Sequence, residues 1–156
     1  MNSLNPAPGS PLRGDAIQLV QSSSEMDRTV LMSWGDDPGF HVFRESTLEP
    51  VGTVATTTSA GAFAVGFDSK RNRIVTSIGF GFVASYSATD LSLLVPPKGV
   101  SSGIISSMVY DRERDRFYCG AGVNTGELVV LDGETLDHVP GSPAPLEAAP
   151  ASVVLY

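Results

Sequence analysis

Cysteine, lysine and histidine are the residue types that this 156-residue sequence nearly lacks. Its one cysteine, Cys119, excludes an intrachain disulfide framework and a multi-cysteine zinc site. Lys70 and Lys98 are the only lysines, and together with a net charge of −7 this argues against binding to the phosphate backbone of nucleic acids. His41 and His138 are the only histidines and fall in predicted strands of different segments. The sequence therefore predicts no catalytic residue.

Long hydrophobic runs and helical periodicity are also missing. The longest apolar stretch, near Ala60–Phe67, is far too short to cross a bilayer as a helix, so we expect no membrane segment. Met1–Asp15 is polar, contains three prolines and lacks the apolar core of a signal peptide. We predict residues 1–15 to be a flexible, proline-rich tail and take the cytoplasm as the default location. No residue pattern indicates a cofactor or a metal site.

Short apolar runs separated by turn residues are what the sequence does contain, and Ile105–Val139 shows them most clearly. A charged turn, a Gly/Asn loop and a tight polar turn separate the runs. Runs of this length, rich in Val and aromatic residues and bounded by Gly, Asp and Asn, are typical of antiparallel strands joined by hairpins. The four predicted strands are Met108–Tyr110, Arg116–Cys119, Leu128–Leu131 and Leu136–Val139.

This four-strand unit repeats along the chain. Asp68 and Arg73 precede Asp111 and Arg116 at one common offset, and Arg28 precedes Arg73 at a similar one. A period of about 43–45 residues with four strands per repeat is typical of β-propeller blades, whereas a two-sheet sandwich is the alternative. We predict an all-β chain with blades at about 16–55, 62–95 and 105–139.

The end of the sequence resembles the beginning of another repeat. Ala151–Tyr156 is similar to Ser106–Tyr110, so we predict the first strand of a fourth blade at residues 151–156. Residues 16–156 would then form about three four-stranded antiparallel blades plus one strand. Because closed propellers have about 4–8 blades, this is an incomplete ring.

At these residues a family resemblance appears. Asp68–Ser77 and Asp111–Gly120 resemble the first hairpin of YVTN-type repeats, and Ile74–Ser77 nearly matches the tetrapeptide that names them. Gly126–Leu136 is similar to the second hairpin, while the first copy departs from the pattern in its turns. The resemblance is to part of the seven-bladed YVTN/lactonase-like propeller superfamily, with lactonase-like and WD-repeat propellers as relatives. It implies a structural repeat and no particular activity.

Candidate binding residues lie in the predicted loops. The loop Ser33–Gly39 holds the only tryptophan, Trp34, beside Asp36 and Asp37. An aromatic platform with carboxylates suits a sugar or a peptide side chain, whereas the alternative is a turn whose Trp34 packs against the neighbouring blade. The face that carries this loop would also present Phe80 and Asn124. On the opposite face, the two charged turns are expected to brace their own hairpins: Asp68–Arg73 and Asp111–Arg116.

These features predict a non-enzymatic scaffold that binds another protein through its loop face. Part of a lactonase-like hydrolase is one alternative, and a carbohydrate-binding module that uses Trp34 is another. The expected partners are another protein, the missing blades of a longer chain, or a second copy joined through the open blade edges.

Overall fold

The structure of the chain, a computed structural model, describes residues 17–33, 39–55 and 63–154. Within these ranges every regular secondary-structure element is a β-strand. No helix that could span a membrane is present in these ranges. The strands are β1 (Ile17–Ser23), β2 (Arg28–Ser33), β3 (Gly39–Phe43), β4 (Pro50–Ala55), β5 (Val65–Asp68), β6 (Arg73–Ile78), β7 (Phe82–Ser87), β8 (Leu93–Gly99), β9 (Ile105–Asp111), β10 (Arg116–Gly122), β11 (Gly126–Asp132) and β12 (Ala144–Leu146).

Every four consecutive strands form one antiparallel sheet, and the order in each sheet is the order in the chain. We call these sheets blade 1 (β1–β4), blade 2 (β5–β8) and blade 3 (β9–β12). Hairpins connect the strands within each blade, as the alternating apolar runs and turn residues require. The prediction of three four-stranded antiparallel blades is therefore confirmed.

The two turns on one side of each blade have the same unusual backbone. The first turn has Asn or Asp with a positive φ, and these side chains tolerate the left-handed conformation. The second turn has Leu at a positive φ, which is rare for a bulky residue. Burial of the side chain offsets the strain in blade 3, where Leu136 is fully enclosed. The residues are Asp27, Asn72 and Asp115 in the first turns, and Leu48, Leu91 and Leu136 in the second.

Blade 2 is packed between the other two blades. One of its faces forms a core with blade 1, in which the Phe40 and Tyr86 rings meet edge to face with centroids 5.0 Å apart. Its other face forms a core with blade 3, built on Val75 and Val83 against Phe117 and other side chains of β9–β11. Alternation along β6 explains this, because successive side chains point to opposite faces.

The first strands of the three blades lie nearest to one another. β5 contacts β9, and residues of β1, β5 and β9 line a common cleft. Sheets stacked face to face, with their first strands around a shared axis, are blades of a β-propeller.

Blade 3 differs from the sequence prediction in its last strand. The fourth strand is Ala144–Leu146 and not Leu136–Val139, of which only His138 pairs, through an isolated bridge to Leu131. Leu136 belongs to the turn, and Pro140 lacks the amide that continued pairing would need.

Residues 151–154 are not in a strand, so the predicted first strand of a fourth blade is not formed there. A strand requires a neighbour to pair with, and no described strand pairs with these residues. Leu155 and Tyr156 lie outside the described residues.

Candidate functional site

The loop face of blades 2 and 3 is built from two hairpin loops and the connector between the blades, residues 79–81, 123–125 and 100–104. The connector is fixed to blade 2, because the amides of Val100 and Ser101 both donate to the Gly81 carbonyl, at 2.7 and 3.1 Å. Gly81 has a φ of 72°, and a Cβ there would lie 1.9 Å from the Ser101 oxygen. Only glycine therefore permits this close approach.

Blade 3 holds the other end of the same connector. The hydroxyls of Ser101 and Ser102 donate to the Glu127 carboxylate, at 2.8 and 3.2 Å. The amide of Gly122 donates to the carbonyl of Ile104, at 3.0 Å. The loop face is thus a surface whose backbone is tied to both blades.

Apolar side chains stand on this fixed surface. Phe80 is 60% exposed, Phe82 46% and Val123 61%, and Asn124 beside Val123 is also exposed. The structure thus places the predicted residues Phe80 and Asn124 on hairpin loops of neighbouring blades, exposed to solvent. Phe82 and Val123 also belong to this surface, although the sequence analysis did not identify them. An aromatic residue at the start of a strand and a valine in a loop resemble ordinary core residues in sequence. Trp34, Asp36 and Asp37 lie outside the described residues.

The turns on the opposite face do more than brace their own hairpins. Asp68 is fully buried and accepts a 2.8 Å bond from Nε of Arg73, which is also buried. The Arg73 guanidinium reaches further, to the carbonyls of Gly133 and Glu134 in blade 3. In blade 3 the expected pair is replaced, since Asp111 binds Arg114 and not Arg116.

Asp115 is a second link between blades 2 and 3. Arg71 binds its carboxylate with two parallel bonds of 2.8 and 2.6 Å, while Tyr110 and Lys70 donate at 2.7 and 3.0 Å. The Arg71 guanidinium is the main reason why the pKa of Asp115 lies well below its usual range. Burial, followed by the bond to Asp115, raises the pKa of Tyr110.

We expect Asp115→Asn to lower the free energy of unfolding by roughly 1–2 kcal/mol at neutral pH, the range for hydrogen bonds to a charge that solvent partly screens. Because the folded-state pKa is below the unfolded value of about 3.9, this stabilisation is present above that value and is lost as the pH falls through the folded pKa. Urea unfolding of wild type and variant at neutral pH and near pH 3 measures the difference, which should shrink in acid.

Glu113→Gln changes an exposed acid of the same turn and is the control. It is expected to leave stability unchanged at both pH values. A stability loss in Asp115→Asn that is equally large in acid would contradict the assignment.

The axial cleft has a volume of about 220 Å³ and is open to solvent. Its lining comes from β1, β5, β9 and the turns that follow them, and it includes Gln21, Phe67 and Tyr110. An ion pair between Glu25 and Arg112 spans blades 1 and 3 at this cleft, but both side chains are more than half exposed, so the pair contributes little to stability. This pair could not be predicted from local sequence patterns, because its members are far apart in the chain.

The remaining chemically reactive groups are dispersed. His41 lies between the hydroxyls of Ser33 and Thr53, at 2.9 Å from each, whereas His138 lies 3.0 Å from Ser142 in another blade. Burial raises the pKa of the Cys119 thiol to about 12, so it is an inert core group. Within the described ranges no three acidic, His or Cys side chains are grouped to hold a metal ion.

Comparisons with known proteins detect the fold alone. No protein-family model matches the chain, and no curated protein sequence does either. Solved structures that match include the RRP9 WD40 repeats, with 12% identity, a TM-score of 0.70 and 90% of this chain covered. Sqt1 of Saccharomyces cerevisiae matches with 8% identity, a TM-score of 0.61 and 77% coverage. The β-propeller domain of Cps50 (Swd1) of Myceliophteria thermophila matches with 8% identity, a TM-score of 0.56 and 88% coverage.

The chain spans 34%, 40% and 43% of the length of the Sqt1, Cps50 and RRP9 structures, respectively. Identities this low establish a shared architecture and no shared activity. Three face-to-face blades, confirmed by these structural matches, show that the chain is a partial β-propeller.

Proposed function

We propose that this chain is a binding scaffold that holds a protein partner on its loop face. The observation that supports the proposal is the group of exposed apolar side chains, Phe80, Phe82 and Val123, on and beside loops that hydrogen bonds tie to two blades. Binding residues are disproportionately found on loops positioned by a rigid scaffold. Large apolar side chains in the open also indicate an interaction surface.

The fixed backbone favours affinity as well as position. A binding surface that is already ordered loses less conformational entropy when a partner docks. Here the connector 100–104 is hydrogen-bonded to both blades. The backbone beside the Phe80 loop is therefore already ordered before a partner binds. Aromatic side chains in such a place are the usual anchors of protein interfaces.

The partner that fits best combines an apolar anchor with basic surroundings. The chain carries 17 acidic residues against 10 lysines and arginines. Such an excess of negative charge steers a basic partner towards the surface and repels an acidic one, so its main effect is on the association rate.

A displayed library of random peptides tests the proposal without assuming a partner. We expect selection on the immobilised chain to enrich peptides that have an apolar anchor and basic residues. Phe80→Ser should weaken the binding of these peptides roughly tenfold or more, as the loss of an interface anchor does. Fluorescence polarisation with labelled peptides measures this change.

Val20→Ser is the matched control, because Val20 is 57% exposed but lies on β1, away from the loop face. It should leave the affinity unchanged, and both variants should keep the thermal midpoint of the wild type. Peptides that bind the Phe80→Ser variant as strongly as the wild type would overturn the proposal.

We also propose that the blades are of the YVTN type and that Trp34, Asp36, Asp37 and Asn124 extend the binding face. The hairpin of β5 and β6 supports the first point, since Asp68 pairs with Arg73 in register and Ile74–Ser77 lies within β6. The hydrolase and the carbohydrate-binding module stay hypotheses, for the first needs residues beyond these blades and the second depends on Trp34.

A further inference from the structure

An arginine at the start of the second strand recurs in all three blades, as Arg28, Arg73 and Arg116. Two of them reach across to the next blade. Arg28 Nε donates to the carbonyl of Ala88 at 2.7 Å, and the Arg73 guanidinium donates to the carbonyl of Gly133. In both cases the donor and the acceptor are 60 residues apart, so the same link is made twice along the chain.

The acceptors of these links also occupy equivalent places. Ala88 and Gly133 lie in the turn between the third and fourth strands of their blades, and both are buried. Their amides donate to the carbonyls of Asn72 and Asp115, at 2.9 and 2.8 Å. These bonds fix the turn, so that its carbonyl meets the arginine of the preceding blade.

Arg116 is the third copy of this donor, and it has no acceptor among the residues that the structure describes. It is exposed, and nothing in the described part of the chain forms a hydrogen bond or an ion pair with its guanidinium. Its neighbour Asp111 is occupied by Arg114. Arg28 and Arg73 are buried because a following blade covers them, and no described blade follows Arg116.

The sheet face that carries Arg116 is apolar beside it. Tyr118 pairs with Val109 on one side and Val130 on the other, and cross-strand partners point to the same face. All three side chains are only partly buried. Further along this face, a Cβ on Gly120 would lie 2.8 Å from Pro150, so the chain itself covers the far end and leaves the end near Arg116 open.

We propose that this face of blade 3 binds a further four-stranded blade, which packs an apolar row on Tyr118, Val109 and Val130 and offers a buried main-chain carbonyl to Arg116. The carbonyl belongs to the turn between the third and fourth strands of that blade. The guanidinium then makes the link that Arg28 and Arg73 make within this chain.

Blade 1 of a second copy is a poor occupant of this face. The blades that receive a neighbour do so with an apolar row across three strands, which is Phe67–Ile74–Tyr86 in blade 2 and Tyr110–Phe117–Leu131 in blade 3. The matching row of blade 1 is Ser22–Thr29–Phe43. Two of its three members are polar, and Thr29 is already buried and donates to the Ser22 hydroxyl, so this row offers little apolar surface to a second copy.

The test joins a second copy of residues 63–154 to residue 154 of the chain. The added blade then supplies the row Phe67–Ile74–Tyr86 and the carbonyl of Ala88. We expect Arg116→Met in the first copy to lower the thermal midpoint of the extended chain by roughly 5–10 °C, in line with the loss of a buried charged donor in a domain of this size. The same substitution in the unextended chain, or in the terminal copy of the extended one, should leave the midpoint unchanged.

Three outcomes would overturn the proposal. One is an Arg116→Met variant of the extended chain that is as stable as its parent, and another is an extended chain without a cooperative unfolding transition. The third is a discrete dimer of the unextended chain in sedimentation that Arg116→Met dissociates, because the occupant would then be a second copy.

Discussion

Replacing Arg73 with methionine is expected to lower the free energy of unfolding by about 3–5 kcal/mol, the range for breaking a buried ion pair by removing one partner. The methionine keeps most of the side-chain length but donates nothing. Asp68 remains fully buried and retains only the partly exposed Arg71, while the carbonyl of Gly133 loses its donor. Since single domains are stable by only about 5–15 kcal/mol, chemical unfolding should detect this loss easily.

Arg116→Met is the matched control for this prediction. It removes the same residue type from the same position of the hairpin, but the Arg116 side chain is exposed and unpaired within the described residues. We expect it to change the free energy of unfolding by less than about 0.5 kcal/mol, as exposed substitutions usually do. Equal losses in the free energy of unfolding for the two variants would show that burial by the following blade does not explain the contribution of Arg73 to stability.

Phe117→Ala is expected to destabilise the chain by about 3–5 kcal/mol, as truncation of a fully buried phenylalanine does. Phe117 is completely enclosed in the core between blades 2 and 3, and its ring lies 4.8 Å from that of Tyr110. The cavity would therefore open at the contact that holds two blades together. Thermal or urea unfolding followed by circular dichroism measures the loss.

Phe80→Ala serves as the comparison, because it removes the same side chain from the exposed loop face. It should leave stability within about 0.5 kcal/mol of the wild type. A Phe117→Ala variant that unfolds like the wild type would mean that the core between blades 2 and 3 is not formed as described.

The blades could be predicted because their signals are local. Strand alternation and turn residues depend on residues a few positions apart, and the repeat shows these local patterns three times. The structure contains the three predicted four-stranded sheets. Leu136 shows the limit of such patterns. An apolar residue after a polar turn resembles the start of a strand, yet it lies in the left-handed region and is enclosed by the core. A regular strand begins only at Ala144.

The candidate site was predicted less completely than the blades. Phe80 and Asn124 could be assigned to the loop face from the hairpin order alone, since alternate loops of a meander lie on the same side. The connector bonds that fix this face could not be predicted, because Ser101 and Ser102 meet Glu127 only when the blades are packed.

The sequence by itself determined the strands, the turns and the number of repeats, whereas the tertiary structure decided what each repeated residue does. Arg28, Arg73 and Arg116 are the same residue at the same place of the same hairpin. Arg28 and Arg73 are buried and bound to a carbonyl 60 residues further along the chain, and Arg116 is exposed. The physical reason is that burial and pairing of a charge depend on the surface that covers it, and that surface belongs to the next blade.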